Sequence, residues 1–245
     1  MTKYFTNIYA VINLYKKPSA KSEIVTQMIY GDSFSIFHKS KKWLKIKIKE
    51  DNYKGYIRNK SYSNFLKPTH KVNSLKAKVF KFPNKIKKSE ITYGSKIKVI
   101  ENNPKFFKFA KGWIKKEDVK PLSYKDKDLF RKIKSFKNVK YKWGGKSFKG
   151  IDCSALVQVC LNYNNIFCPR DAKDQVKYFR KNIKLKDIKK NDIIYWKGHV
   201  AVALSNNKLI HAYGPMKRTI IMGIKQTIKR IERTARLKVI GIKRV

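Results

Sequence analysis

Tyr141-Lys142-Trp143-Gly144-Gly145-Lys146-Ser147, followed by Gly150-Ile151-Asp152-Cys153-Ser154-Ala155-Leu156-Val157-Gln158, reads as a glycine-rich turn that hands over to a helix. Leu156, Val159, Cys160 and Tyr163 fall at i, i+3, i+4 and i+7, one face of a helix. Asp152 is the N-cap residue that such a helix needs. This places Cys153 at a helix start. Backbone N–H groups there are unpaired and carry partial positive charge, which lowers a thiol's pKa and can hold a developing oxyanion.

A nucleophilic cysteine also needs an imidazole to take and return a proton. His199 opens a strand 46 residues downstream, and His211 lies on the next strand, across the turn Ser205-Asn206-Asn207. The two histidines face each other directly if the hairpin is centred on Ser205. A centre between Asn206 and Asn207 shifts the pairing by a few residues. In either register His211 is close enough to orient His199.

Working outward, Asp126 to Phe136 has a helical pattern, and a second helix covers roughly Ala172 to Arg180. Asp192 to Trp196, His199 to Leu204 and Lys208 to Tyr213 read as strands. Residues 123–245 are thus expected to form an α+β domain. Upstream the pattern differs. Leu44-Lys45-Ile46-Lys47-Ile48-Lys49 alternates apolar and basic, the mark of a half-buried strand, and short strands with turns such as Glu50-Asp51-Asn52 suggest a small β-barrel. The pattern then recurs. Tyr30-Gly31 and Tyr93-Gly94 stand 63 residues apart, and Gly55-Tyr56-Ile57 matches Gly112-Trp113-Ile114. A tandem duplication with units 1–68 and 69–122 follows.

The chain has 245 residues and a formal net charge of +44, from 51 Lys and 9 Arg against 16 acidic residues. The charge is spread along the chain and accompanied by many Ile, Asn, Phe and Tyr, so it reads mainly as compositional background. A nucleic-acid-binding protein is the alternative that the charge itself raises. The composition, 42% hydrophobic and 13% aromatic, is that of packed cores and excludes a wholly disordered basic tail. Three cysteines (Cys153, Cys160, Cys168) and four scattered histidines supply neither a disulfide framework nor zinc-ligand spacing, so no metal or other cofactor is expected. No apolar run approaches a bilayer span, and the first residues do not read as a secretory signal, which makes a cytoplasmic location the expectation.

The quoted stretch resembles the nucleophile signature of the NlpC-type cell-wall peptidases, papain-like cysteine enzymes. Pro169-Arg170-Asp171, Ile188 to Trp196, Gly198-His199-Val200-Ala201-Val202 and Ile210-His211-Ala212 resemble the later blocks of that family, and the upstream repeats resemble bacterial SH3-like domains. The resemblance implies a multidomain chain: two small all-β SH3-like barrels, then an α+β papain-like catalytic domain. It implies Cys153 as nucleophile, His199 as base and His211 as the orienting third residue. It implies Tyr141 as an oxyanion aid and Asp152, Ser154 and Arg170 as substrate-binding positions. Members with SH3-like domains resemble γ-D-glutamyl-L-diamino acid endopeptidases acting on murein stem peptides, an activity suited to recycling of wall peptides. In those that require a free L-Ala amine, a Tyr and an acid of the first SH3-like domain bind it. Tyr53 matches the Tyr, with Glu23 and Asp32 as candidates for the acid. Ala172 stands where the family block often has Ser, a change that bears on specificity.

Amidase or acyltransferase chemistry of related papain-like folds is the rival reading, together with a noncatalytic wall-binding protein. The partner implied is a murein-derived peptide, with no specific nucleic acid. The sequence does not define an oligomeric state.

Overall fold

The computed structural model describes residues 2–245, in which strands predominate and three α-helices occur. The chain divides into two compact units. One comprises residues up to Tyr124 together with Lys146–Phe148. The other comprises Lys125–Gly145 and Lys149–Val245.

The first unit contains two β-structures, each with its own apolar core. In the first, seven strands form a sheet in which Trp43–Ile48 lies between Lys54–Arg58 and Ser33–Lys39. Leu44, Ile46 and Ile48 are buried while Lys45 points to solvent, as the period of two requires. Leu14, Met28, Phe34 and Ile57 complete this core. The turn into the next strand is set by Asn52 in the left-handed region (φ 61°) and by Asp51, whose carboxylate accepts the Tyr53 N–H at 3.0 Å.

The second β-structure has a five-stranded sheet, in which Lys76–Phe82 lies between Lys85–Thr92 and Gly112–Lys115, and a three-stranded sheet centred on His70–Val72. Its core contains Val72, Ala77, Val79, Ile91, Ile97, Phe109, Ile114 and Val119. The two Tyr-Gly steps share a local conformation. Gly31 (φ 84°) and Gly94 (φ 80°) make the same left-handed turn after a buried tyrosine, Tyr30 and Tyr93. Gly55 and Gly112 each lie so close to a neighbouring strand that no Cβ fits. A Cβ on Gly55 would sit 2.9 Å from the Tyr15 carbonyl oxygen, and one on Gly112 would sit 2.3 Å from that of Phe80.

The second unit is built on a six-stranded antiparallel sheet. Its order is Lys181–Asn182, Val239–Arg244, Ile193–Trp196, His199–Ala203, Lys208–Tyr213 and Arg218–Gly223. Helix α1 (Cys153–Tyr163) packs on the His199 and His211 strands, α2 (Ala172–Tyr178) contacts the Val239 strand, and α3 (Ile224–Ala235) follows the edge strand Arg218–Gly223. Ile194, Trp196, Leu209, Ile224 and Ile231 form the core beneath α3.

The helix expected over Asp126 to Phe136 is reduced to a single 3-10 turn, Ile133–Phe136. Local side chains capture the backbone that a helix would use. Asp128 Oδ1 accepts the Phe130 N–H at 3.1 Å, and Asn164 takes both the Asp126 N–H (2.7 Å) and the Leu129 carbonyl (3.0 Å). Phe130, Ile133 and Phe136 are buried nonetheless.

Candidate active site

Helix α1 starts where the sequence places it. The Asp152 carboxylate caps it, accepting the Ala155 N–H at 2.8 Å, and ten of its eleven residues are buried. The approach depends on glycine. Gly144 is left-handed (φ 70°), and a Cβ on Gly145 would lie 2.5 Å from the Gly150 carbonyl oxygen. This tight loop delivers Cys153 to the helix N-terminus, with only 6% of its surface exposed. The Cys153 thiol lies against the backbone N–H groups of Ser154 and Val200, so it meets the strand immediately after His199.

The hairpin register is intermediate between the two considered from sequence. Val202 pairs with Ile210 and Ala203 with Leu209, which centres the turn on Asn206. His199 is therefore opposite Tyr213, and His211 is its diagonal neighbour on the same face. Diagonal geometry suffices: His199 Nε2 lies 2.8 Å from His211 Nδ1. His211 is fully buried, with its ring stacked on Tyr213 (centroids 4.6 Å apart, 10° between planes). Trp196 and Tyr213 each hold the His199 ring at 5.7 Å. With Nε2 committed to His211, Nδ1 is the nitrogen of His199 left to serve a thiol.

Burial governs the electrostatics. It pushes the Cys153 thiol up to about 12, aided by the nearby Asp152 carboxylate and opposed by the Val200 N–H and Arg170. It pulls His199 down to about 4, and His211 down to about 2 with a further contribution from His199. Removal from water thus acts on this thiol against the lowering that a helix start implies. Both shifts favour the neutral forms of the two groups. Burial, with Cys153 and Asp152 as neighbours, also raises the Tyr141 hydroxyl, which keeps it protonated and able to donate.

Asp152, Ser154 and Arg170 form a closed internal network. Arg170 grips Asp152 bidentately, Nη1 to Oδ1 at 3.0 Å and Nη2 to Oδ2 at 2.5 Å, with both side chains buried. Asp152 Oδ2 also accepts the Gly144 N–H at 2.9 Å. Ser154 Oγ donates to Asp152 Oδ1 at 3.2 Å and accepts from Arg170 at 2.8 Å. Five hydrogen bonds saturate the carboxylate. These side chains, expected to bind substrate, lock the glycine loop to the start of α1. Gln175, whose function the sequence did not suggest, ties the Ser154 and Pro169 carbonyls at 3.0 and 2.9 Å. Tyr213 was also missed, although alternation along Ile210-His211-Ala212-Tyr213 places it on the His211 face.

Tyr53, Glu23 and Asp32 belong to the first unit. Tyr53 follows the Asp51 turn and packs against that unit's first core. Glu23 pairs with Lys16 at the surface, 3.4 Å apart. Asp32 is buried. Its carboxylate accepts the Ile29 N–H at 2.9 Å and lies 3.7 Å from the buried Lys146 ammonium, and burial pushes its pKa up to about 6. Among the described residues no cluster of three or more His, Cys, Asp or Glu is arranged to hold a metal ion, and no helix is long and apolar enough to cross a membrane.

Residues 138–230, which contain this whole constellation, match the NlpC/P60 family. The chain carries an NlpC/P60 domain. Residues 14–61 match the bacterial dipeptidyl-peptidase SH3 domain. A γ-D-glutamyl-L-lysine dipeptidyl-peptidase of Bacillus subtilis is 24% identical over 231 residues, covering 84% of this chain and 77% of its own. Dipeptidyl-peptidase 6 of Lysinibacillus sphaericus is 25% identical over 233 residues, 84% of this chain and 86% of its own. A probable endopeptidase NlpC homolog of Haemophilus influenzae is 30% identical over 92 residues, 36% of this chain and 49% of that one. In fold, the chain is similar to a crystal structure of an NlpC/P60 family protein from Bacillus cereus (TM-score 0.84, 18% identity, 98% of this chain and 99% of that one).

Proposed function

We propose that the NlpC/P60 domain is a cysteine peptidase that hydrolyses the γ-D-glutamyl–diamino acid bond of murein stem peptides. The observation that carries this reading is the contact of His199 Nε2 with the buried His211, which leaves Nδ1 for Cys153. The names of the relatives that extend over both units support the choice of bond.

His199 Nδ1 takes the Sγ proton as Cys153 attacks the γ-carbonyl carbon of D-Glu. The Cys153 N–H and the Tyr141 hydroxyl hold the oxyanion. His199 then returns the proton to the departing amine of the diamino acid. Water, activated by the same imidazole, hydrolyses the thioester and restores the thiol. Tyr53 is our assignment for recognition of a free N-terminal amine. We also read residues 69–122 as a second SH3-like domain, a reading supported by the matching turns at Gly31 and Gly94 and the matching contacts of Gly55 and Gly112.

The test is incubation with L-Ala-γ-D-Glu-L-Lys and its diaminopimelate counterpart. Release of L-Ala-D-Glu together with the free diamino acid is the expected product pattern. Transfer of the acyl group to an added amine would assign the acyltransferase reading instead, and cleavage at the muramoyl–L-Ala amide of a muramoyl tripeptide incubated in parallel would assign the amidase reading.

A further inference from the structure

A groove of about 840 Å³ lies along the edge strand Arg218–Gly223, away from the Cys153 thiol. Lys137, Lys208, Arg218 and Arg230 line it, with no acidic residue among its walls. Lys137, Lys208 and Arg218 are exposed, Arg230 is half-buried, and none of the four has an ion pair among the described residues. Its floor is apolar, from Met216, Ile220, Ile221 and Met222.

The strand's outer edge is only half used. The Asn138 N–H donates to the Thr219 carbonyl at 2.9 Å, and the Thr219 N–H donates to the Val139 carbonyl at 2.8 Å, so residues 138–140 cover its first half. Because the direction of backbone hydrogen bonding alternates along an antiparallel strand, Ile220 faces His211 while the peptide groups of Ile221 point outward into the groove. Among the described residues no strand continues the pairing beyond Asn138.

We propose that this groove binds an extended acidic peptide, which adds to the sheet edge opposite Ile221 and places its carboxylates on the four cations. Three observations converge on that class of partner. An open edge pairs with backbone, apolar floor positions take alternate side chains, and unpaired cations call for carboxylates. The choice of cation adds to this. Two of the four cations here are Arg, a residue that makes up 9 of the 60 basic residues. Elsewhere in the same unit Arg131, Arg170 and Arg244 each hold a carboxylate, the geometry for which a guanidinium is suited. No aromatic side chain lines the groove to stack on a base, which disfavours nucleic acid. Lysines on a bare edge also deter self-pairing, but solvated lysines alone would serve that end.

The experiment uses the full chain and a fluorescein-labelled peptide of alternating Glu and Val, read by anisotropy at fixed salt. A groove variant (Lys137→Ser, Lys208→Ser, Arg218→Ser, Arg230→Ser) is compared with a control that loses equal charge elsewhere (Lys67→Ser, Lys78→Ser, Lys85→Ser, Lys98→Ser). The groove variant is expected to bind at least about tenfold more weakly and the control within about threefold of the parent. A peptide of the same composition interrupted by a central proline is expected to bind more weakly than the extended one, since it cannot complete the strand. Equal losses in the two variants, or equal binding of the interrupted peptide, would overturn the proposal. So would a single-stranded oligonucleotide that outcompetes the peptide and loses affinity in the groove variant.

Discussion

His199 and His211 are diagonal neighbours across a hairpin centred on Asn206, and the 2.8 Å contact between their ring nitrogens engages Nε2 of His199 and leaves its Nδ1 outside that contact. The contact is maintained from behind, because His211 is sealed in the sheet and stacked on Tyr213.

Truncation of His211 should therefore act through orientation. His211→Ala is expected to lower kcat by about 10²-fold with little change in KM, and His211→Asn, which keeps a polar group, to recover part of the loss. Steady-state kinetics on L-Ala-γ-D-Glu-L-Lys provide the check. A His211→Ala enzyme with unchanged kcat would remove the residue from the site.

Cys153→Ala is expected to abolish turnover while the cooperative thermal transition persists, because Ala fits the first turn of a helix that Asp152 still caps. Residual hydrolysis above the uncatalysed rate would exclude Cys153 as the nucleophile.

The pH profile follows from burial. Below about 4 His199 is protonated and cannot accept the thiol proton, so the acid limb of kcat/KM should lie well below the ordinary histidine range. The sign for stability is the same. A histidine that the folded state holds below its unfolded value contributes stability above about 6.5, and this is lost as pH falls toward about 4. Cys153 acts in the opposite direction, costing stability as pH rises from about 9 toward about 12. An acid limb at the unperturbed histidine value would show that the site is wetter than its packing indicates.

Asp152 and Arg170 should be costly to separate. Asp152→Ala leaves a buried guanidinium unpaired and releases the Gly144 N–H, an expected loss of about 3–5 kcal/mol in denaturant unfolding. The double variant Asp152→Leu/Arg170→Met should lose less than the sum of the single variants Asp152→Leu and Arg170→Met. Additive losses would mean that the two side chains are not coupled.

The two repeat glycines separate conformational strain from contact. Both are left-handed, but a Cβ on Gly31 would lie 2.0 Å from the Lys96 carbonyl oxygen, whereas one on Gly94 meets only the Ile29 side chain at 3.7 Å. Gly94→Ala should cost about 1–2 kcal/mol from the backbone alone, and Gly31→Ala clearly more. Equal transition midpoints would contradict that contact.

Much of this protein can be read locally. The glycine turn, the Asp152 cap and the apolar face of α1 lie within about 20 consecutive residues, and each reflects a near-neighbour preference. The alternation of Leu44, Ile46 and Ile48 with lysine is equally local, as is the recurrence of Tyr-Gly and Gly-aromatic-Ile. The order Cys153, His199, His211 was thus determined by sequence, and with it the resemblance to a peptidase family. Tertiary structure decided the rest. Helical periodicity failed at Asp126–Phe136 because Asn164, far along the chain, captures its backbone. The strand Val239–Arg244 fits between Lys181–Asn182 and Ile193–Trp196, partners that no local pattern could indicate. Above all, the protonation of Cys153 and His199 depends on how completely packing removes water from them. Desolvation belongs to the whole fold, and so the helix N-terminus read from sequence could give the position of the Cys153 thiol but not how far it is removed from water.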